Sequence, residues 1–342
     1  MIGVKLLEPQ KIQQLYQQLD QSVGVLQTNL KSTYVDALTE TLDNLIRQEV
    51  HVENGAPTAD VVTQLTQAYA GMDLQALTNV ERFNLIQLLL VRAQKADRLQ
   101  ANLQATPNAV GLLFSLLVNT FISTEQKELT IVDPVVGAGN LLFAIAQQLA
   151  FEQRQLNLYG IDNNEDLLSL ASTFSELLGK AVTFLHQDAL TPWLLNQQPD
   201  VVVADLPVGY YPVDSRAEKF ELREKSGHSF AHDLLIEQSM KSLKSGGLGL
   251  FIVPANLFQQ SNGADLTHWL TTKVYLQAVI SLPAKVFEAD VAEKAILVLQ
   301  NHGGQARQAK EVLLTSAPDT QQISALREFS VQLQTWAQQN FA

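Results

Sequence analysis

The first hundred residues repeat apolar positions at helical spacing. Ile12, Leu15, Tyr16 and Leu19 fall at i, i+3, i+4 and i+7, and Val35, Leu38, Leu42, Leu45 and Ile46 form a second stripe of the same kind. Both segments are predicted to be amphipathic helices. A third starts in TNVERFNLIQLLL, where Thr78 and Glu81 have capping-box spacing, so that each side chain can satisfy a backbone N–H left unpaired in the first helical turn.

From about residue 128 the pattern changes. ELTIVDPV, NLYGID, VTFLHQD, VVVAD, GLGLFIVP, AVISLP and AILVLQN are short, continuous apolar runs, and the stretches between several of them have helical texture. Strands covered by helices on both faces read this way, which predicts an α/β domain around a mostly parallel sheet. LLFAIAQQLA follows the first run, NEDLLSLASTFSELL the second, and DLLIEQSMKSL ends at the Gly246–Gly247 stop before the fifth. EVLLTSAP can add an edge strand, and QQISALREFSVQLQTW reads as a closing helix through Ile323, Leu326, Ser330 and Leu333. The expected organisation is a helical domain over residues 1–100, an α/β domain over 101–305, and a strand and helix over 306–342 that pack on it.

Composition narrows the function classes. The net charge of -12 argues against a protein held to nucleic acid or an anionic membrane by bulk positive charge. With no cysteine, disulfides, Cys–zinc sites and thiolate nucleophiles are excluded. The N-terminus has no recognisable secretion signal, and the most apolar run, VGLLFSLLVNTFI, is shorter than the ~20 residues of a bilayer crossing. It reads as a buried helix, and the chain as cytoplasmic. His228 and His232 have a metal-like i, i+4 spacing without a convincing further ligand set, so no metal site is expected.

The chemistry lies at the strand tips, because ligands of open parallel sheets collect beyond the carboxyl ends of the strands. In DPVVGAGNLLFAIA, Asp133 ends a strand, Gly137 and Gly139 let the backbone pass close to a ligand, and a helix then starts. Asp162 lies 23 residues after Gly139, where a carboxylate can accept both hydroxyls of a ribose; it equally fits an N-cap for NEDLL. Asp188, in HQDAL, can accept from a purine amine or simply serve a turn. The fourth tip is ADLPVGYYP, with Asp205, Leu206, Pro207, Tyr210 and Tyr211. In this order the tips describe a site for an adenosine-bearing cofactor beside a reacting group.

On these residues the chain resembles class I S-adenosylmethionine-dependent methyltransferases. Within that class it is similar to the N6-adenine DNA methyltransferases typified by the modification subunits of type I restriction systems. QATPNAVGLL matches that branch's Thr-Pro segment, DPVVGAGNLL its Asp-Pro-x-x-Gly-x-Gly motif, and ADLPVGYYP stands at its Asn/Asp-Pro-Pro-Tyr/Phe tetrapeptide. LKSGGLGLFIVPANLF, VISLPAKVF and AEKAILVLQ follow in the expected order. The resemblance covers roughly residues 100–305 and implies a Rossmann-like sheet of seven strands whose seventh, AILVLQN, is antiparallel.

The resemblance implies S-adenosylmethionine as cofactor, held by Thr106, Asp133, Pro134, Gly137, Gly139, Asn140, Asp162, Asn163, Asp188 and Ala189. Thr106 and Pro107 also suit the N-cap and first turn of the following helix. Asp205 and the carbonyl of Leu206 would accept the two hydrogens of an exocyclic amine, making its nitrogen pyramidal and aiming its lone pair at the methyl group. Leu206 stands where the family prefers proline and Val208 where it places an aromatic ring, which leaves Tyr210 or Tyr211 to stack on a flipped base. The implied activity of this bacterial-type chain is N-methylation of adenine N6 in DNA or RNA, with sequence readout from a separate specificity subunit. A protein glutamine amide is the competing acceptor, and a cofactor-sensing or partner-binding module with a degenerate tip is the non-enzymatic alternative. The segment from 213 to 232, with balanced charges, reads as a mobile lid rather than an electrostatic track.

Overall fold

The structure is a computed structural model that describes residues 9–98, 108–123, 125–150, 154–283, 293–319 and 322–341. The chain divides into two compact units, Met1–Ala105 with Gly137–Gly139 and Asn164–Ala181, and Thr106–Val136 with Asn140–Asn163 and Val182–Ala342. The first is helical: α1 (Pro9–Leu30), α2 (Tyr34–Arg47), α3 (Ala59–Tyr69), α4 (Asn79–Ala96) and α7 (Glu165–Leu177).

The apolar stripes become its core. Leu15, Leu19, Val23 and Leu26 of α1, Val35, Leu38 and Leu42 of α2, and Phe83, Ile86, Leu89 and Leu90 of α4 are buried. The ends of these helices are satisfied by side chains, as unpaired N–H and C=O groups require. Thr78 and Glu81 form the expected capping box on α4, and Thr33 with Asp36 forms another on α2. Asp97, just past α4, accepts from the N–H groups of Tyr34 and Val35 at 2.8 and 2.9 Å, so one carboxylate ties the start of α2 to the end of α4. Arg82 donates to the carbonyl of Leu177 at 3.0 Å, and Thr173 donates to Asp43 at 2.8 Å; both bonds hold α7 in this unit.

The second unit is built on one sheet. Its strands are β1 (Glu128–Asp133), β2 (Gln155–Asp162), β3 (Val182–His186), β4 (Val201–Asp205), β5 (Leu248–Pro254), β6 (Val274–Ser281), β7 (Lys294–Asn301) and β8 (Leu313–Ser316), in the order β3-β2-β1-β4-β5-β7-β6-β8. Strand β7 runs antiparallel to β5 and β6, and every other pairing is parallel. Among the described residues the sheet has eight strands where the resemblance implies seven. The extra one is β8, in the EVLLTSAP stretch, which pairs with β6 at the sheet edge.

Helices α5 (Asn108–Phe121), α6 (Asn140–Ala150), α8 (Asp214–Ala217), α9 (Ala231–Ser242), α10 (Gly263–Thr272) and α11 (Ile323–Phe341) complete the unit. Helices α5 and α6 cross so closely that a Cβ on Gly111 would stand 2.4 Å from the Cβ of Ala144, so glycine is required there. The closing helix buries a different stripe from the expected one: Phe329, Leu333, Trp336 and Asn340, while Leu326 and Ser330 are only partly buried and the side chain of Ile323 lies outside the described residues. The aromatic groups decide this. Trp336 meets Phe121 and Phe341 edge to face, and Asn340 accepts from the Glu311 N–H at 2.7 Å, which fixes the rotation of α11. No helix among the described residues is long and apolar enough to cross a membrane.

Candidate functional site

Parallel pairing of β1 to β4 sends their carboxyl ends to one edge of the sheet. The order β3-β2-β1-β4 therefore sets Asp188, Asp162, Asp133 and Asp205 along that edge, with Asp133 opposite Gly160, Asp162 opposite His186 and Asp205 opposite Ile252.

Asp133 is 2% exposed, and its Oδ1 accepts from the Val135 N–H at 3.1 Å. Burial pushes its carboxyl well above the usual carboxylate range, and the charges of Asp162 and Asp205 push the same way. The chain continues through Pro134 to Val136, whose N–H donates to the Ile161 carbonyl at 2.9 Å. It then turns at Gly137 and Gly139, with φ of 50° and 84°, and enters α6 at the buried Asn140. These left-handed values favour glycine, and a Cβ at Gly137 would meet no atom of the described residues within 4 Å.

The N-cap of α7 is Asn164, whose side chain accepts from the Leu167 N–H at 3.1 Å, and not Asp162. The Asp162 carbonyl accepts from the Gln187 N–H at 3.0 Å, and the exposed Asn163 meets His186 Nε2 through its own carbonyl at 3.2 Å.

Asp188 is the most heavily engaged of the four. Its Oδ1 accepts from the Leu190 N–H at 2.9 Å, and its Oδ2 accepts from the Tyr211 hydroxyl at 2.5 Å and from a guanidinium N–H of Arg216. Burial and then the Asp188 hydrogen bond push the Tyr211 hydroxyl up to about 12. The next residue, Ala189, is buried and its carbonyl accepts from the Trp193 indole at 2.8 Å.

At the β4 tip, Asp205 Oδ1 accepts from Lys294 Nζ at 2.7 Å. Leu206 is buried, and its N–H extends the ladder by donating to the Ile252 carbonyl at 3.1 Å; a proline at this position would have no N–H to donate. Beyond Pro207 the two tyrosines part. Tyr211 is 8% exposed with its hydroxyl on Asp188, whereas Tyr210 is 62% exposed and stacks on Phe230 with ring centroids 4.8 Å apart. Tyr210 and Val208 are thus the exposed apolar side chains at this tip.

The 213–232 segment is anchored to the fold by part of its length. Ala217, Phe220 and Leu222 are buried, and the fully buried Glu237 of α9 accepts from the N–H groups of Glu221 and Leu222 at 3.0 and 2.7 Å. His228 and His232 do not converge: one pairs with Asp214 and the other is buried against Gln260. Thr106 lies outside the described residues. Sequence reasoning missed Arg216, Phe230 and Lys294. Of these, only Lys294 leaves a signal, as the one charge of its strand.

Comparisons with known proteins give the chain a family. The family model described as N-6 DNA Methylase matches residues 100–335, and a second, the YtxK N-terminal helical domain, matches residues 13–93. The chain belongs to the N-6 DNA methylase family. It is 33% identical over 322 residues to the uncharacterized protein YtxK of Bacillus subtilis, covering 94% of this chain and 96% of that one. The crystal structure of a candidate class I S-adenosylmethionine-dependent methyltransferase from Listeria monocytogenes superposes with a TM-score of 0.87 at 33% identity, over 96% of this chain and 99% of that one. A type I restriction-modification methyltransferase subunit from Streptococcus thermophilus shares the fold, with a TM-score of 0.66 at 16% identity over 95% of this chain and 74% of that one. A release factor glutamine methyltransferase of Bacillus anthracis is 34% identical over 102 residues, 30% of this chain and 35% of that one. The family and fold are those of S-adenosylmethionine-dependent methyltransferases.

Proposed function

We propose that the carboxyl edge of β1 to β4 binds S-adenosylmethionine and delivers its methyl group to a planar amino or amide nitrogen, adenine N6 in nucleic acid foremost. The observation that carries this reading is the alignment of Asp188, Asp162, Asp133 and Asp205 on successive parallel strands, beside a turn whose two glycines have left-handed φ.

The residues present fit the cofactor. The glycine turn, where a Cβ at Gly137 would meet no atom of the described residues, suits close approach of a ligand to backbone, Asp162 suits the ribose hydroxyls, and the Asp188–Ala189 corner suits the base. A carboxylate offers about four lone-pair sites. Asp188 uses three of them on Leu190, Tyr211 and Arg216 among the described residues, which leaves room for one amine hydrogen. When bound, the cofactor supplies an electrophilic sulfonium methyl group. Asp205 and the Leu206 carbonyl accept the two hydrogens of the acceptor nitrogen and orient its lone pair, and Tyr210 offers an exposed ring on which a planar acceptor can stack. With a net charge of -12, sequence readout on nucleic acid falls to a partner subunit.

The test is a calorimetric titration with S-adenosylmethionine, repeated on Asp162→Ala, followed by transfer of labelled methyl to DNA, RNA and protein acceptors. Saturable binding weakened by the substitution, with transfer to adenine abolished by Asp205→Ala, is the expected result. Transfer to a glutamine amide alone would move the acceptor to protein. Failure of the folded wild type to bind the cofactor would overturn the reading in favour of a partner-binding module.

A further inference from the structure

Asp133 sits one step back between two longer strand tips. It pairs with Gly160 of β2, and Asp162 lies two residues further along that strand. On its other side Val132 pairs with Val202 of β4, so Val203 is level with Asp133 and Asp205 again lies two residues further on. Side chains alternate between the faces of a strand, and level residues of neighbouring strands share a face. Asp133, Asp162 and Asp205 therefore lie on one face of the sheet.

At its own level Asp133 has apolar surroundings. Val203 is fully buried, and a Cβ on Gly160 would stand 2.9 Å from the Phe184 ring and 3.0 Å from Val136 Cγ1, so those two side chains cover the glycine. The Asp133 carboxyl is 2% exposed, and its hydrogen-bond partner among the described residues is the Val135 N–H on Oδ1. The ionisable groups of the described residues that act on it are Asp162 from β2 and Asp205 from β4, the latter paired with Lys294 of β7; helices α5 and α6 carry none. Burial and two like charges all favour the neutral carboxyl. A cation brought to this face reverses the balance, since an opposite charge nearby lowers a carboxyl's pKa by about 1–3 units.

S-adenosylmethionine carries such a cation. Its sulfonium links the ribose to the methyl group. With the ribose hydroxyls on Asp162 and the acceptor nitrogen at Asp205, as proposed above, that charge falls between β2 and β4, at the tip of β1. The product, S-adenosylhomocysteine, keeps the same skeleton with a neutral thioether.

Building on the methyl-transfer reading, we propose that Asp133 is a specificity-determining residue that reads the charge of the bound ligand. Its O–H bond breaks and the proton passes to solvent when the cationic donor binds, and it takes a proton back when the neutral product is left. The site thereby favours donor over product, and more strongly as pH rises, because a ligand that prefers the ionised form binds more tightly as protons become scarcer.

The proposal is tested by calorimetric titration of wild type and Asp133→Asn with S-adenosylmethionine and S-adenosylhomocysteine at pH 5.5 and pH 7. The wild-type preference for the donor is expected to rise at least about fivefold between these pH values, where one proton permits about tenfold per pH unit. In Asp133→Asn it should change less than about twofold; this variant also accounts for any titration of the ligands themselves. A second readout needs no variant. Repeating the wild-type titrations at pH 6 in two buffers of different ionisation enthalpy counts protons, and the donor is expected to release about half a proton or more beyond the product.

Equal proton counts for the two ligands, or a pH-dependent preference that Asp133→Asn leaves unchanged, overturn this proposal and leave cofactor binding standing. Failure of the folded wild type to bind either ligand at any pH removes the cofactor reading itself, and the charge reading with it.

Discussion

The hydroxyl of Tyr211 donates to Asp188 at 2.5 Å and so ties the segment after β4 to the segment after β3. Arg216 binds the same carboxylate oxygen and also donates to the Tyr211 hydroxyl at 3.0 Å, closing a triangle of three side chains. The proposed base corner and the proposed reacting tip thereby share a hydrogen-bond network. Tyr211→Phe removes the two edges of the triangle that meet at its hydroxyl. It is expected to lower stability by about 1 kcal/mol in urea unfolding and to weaken cofactor binding several-fold, while Tyr210→Phe leaves cofactor binding unchanged.

Asp162→Ala removes the carboxylate proposed to accept the ribose hydroxyls. Hydrogen bonds to a charged group contribute about 1.5–3 kcal/mol each, so losing two predicts a loss of about 100-fold or more in affinity for S-adenosylmethionine, read by calorimetry. The N-cap of α7 is Asn164, so the substitution leaves that cap in place, and a thermal melt of the variant separates loss of the site from loss of the fold.

Asp133 gives the fold a pH dependence. Its folded-state pKa is raised by burial, so its contribution is fully present below the ordinary carboxylate value of about 3.9 and is lost as pH rises through the raised folded value. Asp133→Asn keeps an acceptor for the Val135 N–H and has no charge to bury. In urea unfolding at pH 5 and pH 8, the stability of this variant relative to wild type should rise with pH, by about 1 kcal/mol or more, since a tenfold change in proton affinity between the folded and unfolded chain corresponds to about 1.4 kcal/mol. A gap that stays constant across that range would contradict the assignment.

Glu237 anchors part of the 213–232 segment. Its carboxylate is fully buried and accepts from two backbone N–H groups and from Lys241. Glu237→Ala leaves those two donors without their acceptor, and a loss of about 2–4 kcal/mol is expected. Hydrogen exchange should show faster exchange at the amides of Glu221 and Leu222 before any change in the β5 amides.

Much of the fold follows from local pattern. Helical periodicity located α1, α2 and α4, and continuous apolar runs located the strands, because both report which faces of an element lose contact with water. The candidate site was legible for a related reason: once strands are parallel, their carboxyl ends share an edge, so Asp133, Asp162, Asp188 and Asp205 are brought into line by topology alone. The stripe of α11 was misjudged because that helix is turned by Trp336 against Phe121, a ring more than two hundred residues earlier in the chain. The packing of 213–232 was not legible either, since a charge-balanced stretch gives no sign that Glu237 will accept from its backbone N–H groups from α9.

The sequence by itself determined the strands and most of the helices, their α/β arrangement, the glycine turn and the four strand-tip carboxylates, while α3 and α10 went unnoticed. Only the tertiary structure decided what those carboxylates touch. Lys294 lies 89 residues from Asp205 and Arg216 lies 28 from Asp188, so no spacing rule joins either pair. Tyr210 and Tyr211 are neighbours of the same type, yet one is left exposed and the other is drawn to Asp188. Hydrogen bonds and ion pairs act over a few ångströms of space, and the folded chain alone sets which residues stand that close.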